Sequence, residues 1–467
     1  MSRAMNWILI GVLVYIVIQL VIGLLVSRNI ESEEDYLLAG RSLGVGLATF
    51  SIFATWFGAE TCISAAGMFY EEGFSGGAID PFGYGLCILF LGAVFAIPLW
   101  RRKLTTLIDL FRQRYGIVVE RASVLLIAPT SVIWAAAQVR AFGEVIKSIS
   151  NSAVSVEVAI LIATAVAITY TVSGGLKADV MTDLVQGVVI IVSLIIVFIA
   201  VIARTPDLAA TIQEIEPERL NPFHNDGGWL DMLELWMVPI CGSVVAQELI
   251  GRVLAARTPE IARKSALLGG GIYILIGLIP ALLGLLAYKL MPGIENSEHV
   301  LPLLAKEHLP TLLYIIFMGA LVSAILSTVD STLLSASALF SHNFIVPLLH
   351  ADIEESSKIL SARIMVVISG LVAAWLAIGA ESVFELVHEA SALGSTGVFA
   401  IMVMALFSRF GGSAAALTAL GGGLLVYIMG TYYESPYPFL ISMAAAFGGY
   451  GIAGLVELKV CRPKTTA

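Results

Sequence analysis

Thirteen long apolar runs dominate this sequence and decide what the chain can fold into. Each run has at least about 18 residues, which is enough for a helix that spans the hydrocarbon core of a bilayer. In lipid the backbone N–H and C=O groups must bond internally, so such runs form helices. The sequence therefore predicts an all-α, polytopic membrane protein with about 13 transmembrane helices. We number the runs as segments 0 to 12, with approximate spans 5–26, 45–69, 77–100, 119–148, 152–173, 180–203, 230–254, 264–290, 310–345, 360–379, 391–408, 412–432 and 437–458.

The composition agrees with burial in a membrane. Hydrophobic residues make up 58% of the chain and charged residues 13%, whereas soluble domains are about 45–50% apolar and about 25% charged. The connections are too short for a soluble domain, and no HExxH motif, nucleophile elbow or phosphate-binding loop is present. No stripe of basic residues points to nucleic acid. We expect one transmembrane domain over 1–467, no enzyme activity, no nucleic acid partner and no obligate protein partner.

Lysine and arginine are distributed unevenly between the two sides of the predicted bundle. With the N-terminus outside, 19 of the 26 basic residues fall in inside connections, 6 fall in outside ones, and Arg140 lies within the membrane. Because basic residues are enriched on the cytoplasmic side, this bias predicts an outside N-terminus, an odd number of spans and a cytoplasmic C-terminus. We predict that segment 0 is an extra N-terminal helix and that the membrane is the plasma (inner) membrane of a prokaryote.

Two segments are interrupted near their centres. Segment 1 carries polar residues and a glycine at membrane depth, and segment 6 contains Pro239 followed by Gly242 and Ser243. Proline removes an N–H donor, and backbone groups freed at this depth must face protein, ions or a watery cavity. Interrupted helices five segments apart indicate an inverted repeat. The repeats would span 45–203 and 230–408, with 412–458 as two C-terminal helices. The alternative is two ordinary helix kinks.

Segment 8 carries a face of small and hydroxyl-bearing residues. Ala324, Ser327, Thr328 and Ser331 lie at i, i+3, i+4 and i+7, so they share one side of a helix. At membrane depth such a face either packs helices together or offers oxygen ligands to a hard cation. The spacing alone leaves both interpretations open.

Four stretches give the chain a family resemblance. They are DYLLAGR at 35–41, FATWFGAE at 53–60, the region 170–186 and LSTVDS at 326–331. With these stretches the sequence resembles the sodium/solute symporter family, over about 35–410. The resemblance implies a LeuT-type fold, with a five-plus-five inverted repeat of helices. It also implies Na⁺ as the coupling ion.

The resemblance also implies where sodium binds. Matched position by position, the ligands are the backbone carbonyls of Ala54, Phe57 and Ala324 and the hydroxyls of Ser327 and Thr328. In family members with a second sodium, an aspartate that matches Asp183 helps to bind it. The alternative for Asp183 is a structural acid that couples the intracellular gate to segment 8.

Within the family, the sequence is most similar to the choline transporter-like members. Such proteins cage a quaternary ammonium with tryptophans, and Trp56 and Trp134 match two of these rings. The other two positions hold Ala246 and Val387, so half of the cage is absent. The predicted solute-binding residues are Trp56, Glu60, Thr61, Trp134 and Gln138. The alternatives are that the tryptophans face lipid or only pack, and that Glu60 only bonds unwound backbone.

These features together predict sodium-coupled secondary active symport of a small organic solute by alternating access, with an amine-bearing solute favoured. The partners are then the solute and the lipid bilayer. One alternative is a proton-coupled carrier of the same fold, in which Glu60 or Asp183 takes H⁺. Another is a membrane solute sensor that does not transport.

Overall fold

A computed structural model describes residues 30–150, 153–222, 228–349, 353–380 and 383–460, with six helical residues in the range 10–25. Within these ranges the protein is built from helices, with no strand and one isolated bridge between Leu43 and Ala256. The all-α prediction is therefore confirmed. Segment 0, predicted at 5–26, falls mostly outside the described residues.

The helices are labelled α1 to α19 in chain order. Their bounds are α1 Glu33–Leu38, α2 Val45–Trp56, α3 Ala65–Glu72, α4 Tyr84–Phe90, α5 Ala96–Arg101, α6 Leu107–Tyr115, α7 Ile117–Ile149, α8 Val156–Arg204, α9 Leu208–Gln213, α10 Trp229–Met237, α11 Gln247–Leu254, α12 Pro259–Leu290, α13 Val300–His308, α14 Thr311–Phe340, α15 Glu355–Gly379, α16 Val383–Ala392, α17 Ser395–Phe407, α18 Ser413–Tyr432 and α19 Pro438–Val460. Short π turns join some of them, at Glu60–Ser64, Ile79–Gly83, Leu91–Phe95, Val238–Gly242 and Ser341–Ile345. Short 3₁₀ turns lie at Ala39–Arg41, Gly73–Ala78, Ser243–Val245, Pro217–Leu220, Ser297–His299 and Val346–Leu348.

Both predicted interruptions are real bends. The helical stretch Val45–Trp56 meets Glu60–Ser75 at 60°, and Trp229–Val245 meets Gln247–Leu254 at 50°. Among the described residues, nine further helical spans are long and apolar enough to cross a membrane. The count of thirteen remains a prediction.

Segments 4 and 5 form one bent helical stretch, α8, of 49 residues. Gly175 interrupts it with φ 53° and ψ −159°. The hydroxyls of Tyr170 and Thr182 lie 2.7 Å apart, although twelve residues of straight helix span about 18 Å. The chain therefore bends sharply at Gly175, so α8 holds both predicted segments.

Glycine is required at this bend. A Cβ at Gly175 would lie 2.5 Å from the carbonyl oxygen of Tyr36, which is far inside van der Waals contact. The Tyr36 hydroxyl in turn donates to the Thr171 carbonyl at 2.9 Å. The short helix α1 is thus held against the bend.

The centre of the bundle is α14. It is buried almost continuously from Phe317 to Leu339 and packs against α2, α7, α8, α11 and α15. Its many alanines and serines let neighbouring helices approach closely, as is usual at membrane helix interfaces. The pair α18 and α19 packs mainly on itself and exposes more apolar surface.

Replacing Gly175 by alanine should lower the free energy of unfolding by about 1–3 kcal/mol, because this backbone conformation is open mainly to glycine. The measurement is thermal unfolding of the purified protein in detergent. The matched control is Gly271→Ala in α12, where an added Cβ meets no atom within 4 Å. Equal stability of the two variants would contradict the prediction.

Candidate ion and solute site

The break in segment 1 frees backbone oxygens at the centre of the protein. The helix α2 ends at Trp56, Phe57 leaves the helix with φ −86° and ψ 63°, and helical structure resumes at Glu60. The last carbonyls of a helix have no partner within it. The carbonyls of Ala54 and Phe57, predicted as sodium ligands, belong to this end of α2.

Three side chains from other turns and helices converge on Gly58. A Cβ built there would lie 2.6 Å from Thr328 Oγ1, 2.7 Å from Gln138 Oε1 and 2.9 Å from Glu60 Oε2. Only glycine lets the backbone approach these groups so closely. The structure therefore brings the segment 1 break and the hydroxyl face of α14 together.

Asp183 lies beside this junction. Ser327 Oγ donates to Asp183 Oδ1 at 2.5 Å, and Ser51 Oγ donates to Asp183 Oδ2 at 2.6 Å. A hydroxyl that donates its proton to a carboxylate keeps oxygen lone pairs that can bind a cation. The carboxylate joins α2, α8 and α14, which fits both interpretations of Asp183.

A buried arginine balances the charge nearby. Arg252 of α11 donates to Asp179 and to Ser331, and its Nη2 lies 3.9 Å from Asp183 Oδ2. Buried charges are costly unless they are paired and hydrogen-bonded. The arrangement ties α11 to α8 and α14.

The predicted sodium ligands form a chemically uniform set. Thr328 Oγ1 donates weakly to the Ala324 carbonyl, at 3.3 Å, and both groups lie on the α14 face that meets the break. All five predicted ligands are carbonyl or hydroxyl oxygens, the ligand type that hard cations prefer.

Trp56 and Trp134 form a buried aromatic cluster with Tyr84. The ring centroids lie 5.6 Å apart for Trp56–Trp134, 5.5 Å for Trp56–Tyr84 and 5.9 Å for Tyr84–Trp134. Burial of both tryptophans excludes the lipid-facing orientation. Tyr84 was not predicted, since its segment offers no pattern that separates it from a packing tyrosine; its hydroxyl lies 3.0 Å from that of Ser391.

Ala246 and Val387 stand at the two positions that lack cage tryptophans. Both lie near Ser391, whose hydroxyl contacts that of Tyr84. Ala246 lines a cavity of about 20 Å³ at the break of segment 6, together with Ser243 and Ser391. Val387 is buried one turn before Ser391 on α16. The cavity has room for about one water molecule.

Gln138 bridges the unwound backbone and Glu60. Its Oε1 accepts from the Ala59 N–H at 2.9 Å, and its Nε2 donates to Glu60 Oε2 at 2.5 Å. Gln138 thus provides a partner for the Ala59 amide and holds Glu60 beside the break. The remaining predicted residue, Thr61, turns instead towards Asp80.

Asp80 and Tyr273 complete a polar group that the sequence interpretation missed. Thr61 Oγ1 donates to Asp80 Oδ2 at 2.8 Å, and Tyr273 Oη donates to the same oxygen at 3.0 Å. The hydroxyls of Thr61 and Tyr273 are 2.6 Å apart. One available signal was the carboxylate itself, because an acidic residue inside a membrane segment is usually functional.

Arg140 and Glu144 form the i, i+4 ion pair that their spacing suggests, at 3.5 Å. Arg140 also donates to the Ala377 carbonyl at 3.2 Å. The pair therefore ties α7 to α15, away from the Glu60–Gln138 contact.

Replacing Gln138 by methionine, which has a similar shape, should destabilise the protein by about 1–3 kcal/mol. The change leaves the Ala59 N–H and a Glu60 oxygen without this buried partner. Thermal unfolding measures the loss, and Gln113→Met on the exposed side of α6 is the matched control. A variant as stable as the control would show that the bridge contributes nothing.

Comparison with known proteins gives consistent results. The family model described as "Sodium:solute symporter family" matches residues 36–423. The high-affinity choline transporter 1 of Drosophila melanogaster is 26% identical over 88% of this chain and 69% of its own length. The sodium/pantothenate symporter of Haemophilus influenzae is 25% identical over 91% of this chain and 85% of its own.

A solved structure matches nearly the whole fold. It is a substrate-bound, outward-open Na⁺-coupled sialic acid symporter, with a TM-score of 0.86 and coverage of 98% of both chains. At 17% identity this similarity concerns the fold alone. The predicted LeuT-type fold is thereby confirmed.

Proposed function

Because the chain belongs to the sodium:solute symporter family, and is thus a transporter rather than an enzyme, we propose that it couples Na⁺ entry to uptake of a small organic solute by alternating access. The observation that carries this proposal is the contact between the segment 1 break and the Ser327–Thr328 face of α14. The membrane location follows from the apolar helices.

Sodium would act at this contact as a removable bridge. Bound between α2 and α14, Na⁺ would hold the two helices together and favour a conformation open to the outside. Solute binding then allows closure, and loss of Na⁺ to the inside lets α14 separate from the break. None of the five proposed ligand groups titrates near neutral pH, so this site suits a metal cation better than a proton.

Replacing Ser327 and Thr328 together by alanine should raise the half-saturating Na⁺ concentration at least about tenfold, which corresponds to about 1.4 kcal/mol of lost binding. Na⁺-dependent uptake into proteoliposomes measures this. Ser337→Ala is the matched control, because its hydroxyl donates to the Leu334 carbonyl on the same helix. Unchanged sodium dependence in the double variant would falsify the site.

We further propose that Asp183 contributes to a second sodium site. This proposal is supported by the hydroxyls of Ser51 and Ser327, which both donate to the Asp183 carboxylate. The geometry supports the structural role as well, since the same bonds link three helices.

Replacing Asp183 by asparagine separates these roles. If it binds a second sodium, the number of Na⁺ ions moved per solute should fall by one while the folded protein persists. The measurement is the charge-to-solute ratio in voltage-clamped proteoliposomes. An unchanged ratio, accompanied by a lower unfolding temperature, would assign Asp183 a structural role.

The solute, orientation and repeats complete the proposal. Glu60 beside two tryptophans favours an amine-bearing solute, and relatives named for choline and pantothenate carry small organic solutes. We propose an outside N-terminus, a cytoplasmic C-terminus and a prokaryotic plasma membrane from the basic-residue bias. We assign the inverted repeats to 45–203 and 230–408.

Replacing Na⁺ by other cations during uptake distinguishes sodium coupling from the proton-coupled alternative. Uptake itself distinguishes a carrier from a sensor.

A further inference from the structure

We propose that Asp80, with Thr61 and Tyr273, forms beside Glu60 a subsite for an ammonium group that carries N–H donors. This site would select primary and secondary amines over fully methylated, quaternary ones. The inference rests on the proposed solute transport and specifies the chemical class of solute. It is carried by buried acceptors in the middle of the protein, near the break of segment 1.

The Asp80 carboxylate is only partly satisfied by the protein. Asp80 is 3% exposed, and its Oδ2 accepts from both Thr61 and Tyr273. Its Oδ1 is buried and has no hydrogen-bond partner. A buried oxygen of this kind costs free energy until a donor reaches it, so it marks a place where a donor is expected.

Glu60 is a second buried acidic group, next in sequence to Thr61, which donates to Asp80. It is 3% exposed and interacts electrostatically with Asp80. Among the described residues, no lysine, arginine or histidine forms an ion pair with either carboxylate. Buried carboxylates without a counter-charge are unfavourable, and a cationic group on the solute would offset this.

The Asp80 oxygen without a hydrogen-bond donor favours an ammonium group that has N–H donors over one that has none. A quaternary ammonium has no N–H and is recognised by aromatic faces. Here two cage positions are Ala246 and Val387, and the remaining tryptophans pack on each other and on Tyr84. A primary ammonium has three N–H donors, one of which can satisfy the free Asp80 oxygen. Sites built for such hydrogen bonds strongly reject analogues that lack them.

The test uses pairs of solutes that differ only in N-methylation. Ethanolamine is compared with choline, and glycine with its trimethyl derivative, by thermal unfolding of the purified protein in saturating Na⁺. We expect the N–H-bearing member of a pair to stabilise the protein at concentrations at least about tenfold lower. Equal or stronger stabilisation by the methylated member would overturn the subsite, as would a response confined to solutes without an amine.

Two variants and a control assign the selectivity to residues. Asp80→Asn and Tyr273→Phe keep the side-chain shapes and should reduce the preference within each pair by about tenfold. Glu234→Gln, which changes a carboxylate that accepts from the Phe439 and Leu440 amides, should keep the preference. A preference that persists in Asp80→Asn would place the ammonium elsewhere.

The proposed function and the subsite fail in different ways. Stabilisation of the unmodified protein by Na⁺ alone, against K⁺ at equal ionic strength, is measured first. Its absence contradicts sodium coupling whatever the solutes do. Stabilisation by Na⁺ together with a reversed preference within the pairs contradicts only the subsite.

Discussion

The need to satisfy backbone groups at the centre of a membrane protein shapes the rest of this structure. Where α2 breaks, water is scarce and a free N–H or C=O is costly. Gln138 takes the Ala59 amide, and the carbonyls at the end of α2 remain available beside Thr328. Such a break would destabilise an ordinary membrane helix. Here the free N–H group has a partner, whereas the free carbonyl oxygens remain available to bind a cation.

The two groups of carboxylates around the break differ in whether a basic residue of the protein pairs with them. On the α14 side, Arg252 neutralises Asp179 and lies near Asp183, so that carboxylate cluster carries its own counter-charge. On the opposite side, Glu60 and Asp80 have hydrogen-bond donors but no basic partner in the described ranges. The protein thus supplies the cation in one cluster, and the solute is proposed to supply it in the other.

The sequence predicted the features that depend on local chemistry. Proline, glycine and polar residues at membrane depth located both bends, and the hydroxyl spacing on segment 8 located the face that meets the first bend. The Tyr84 ring cluster and the Thr61–Asp80–Tyr273 contacts were not predictable, because they join segments 1, 2, 3 and 7 through tertiary packing. The sequence predicts a connection between segments 4 and 5 where the structure has a bend at Gly175, because the contact with Tyr36 that requires glycine there is tertiary.

The closed ring cluster has a consequence for how tightly any solute can bind. Each aromatic contact of this kind contributes about 0.5–1.5 kcal/mol, and three ring pairs meet among Trp56, Tyr84 and Trp134. A solute that has to part all three would lose roughly 1.5–4.5 kcal/mol, which weakens its apparent affinity by about tenfold to a thousandfold. The ring cluster therefore sets a free-energy cost that any solute entering between Trp56 and Trp134 has to offset.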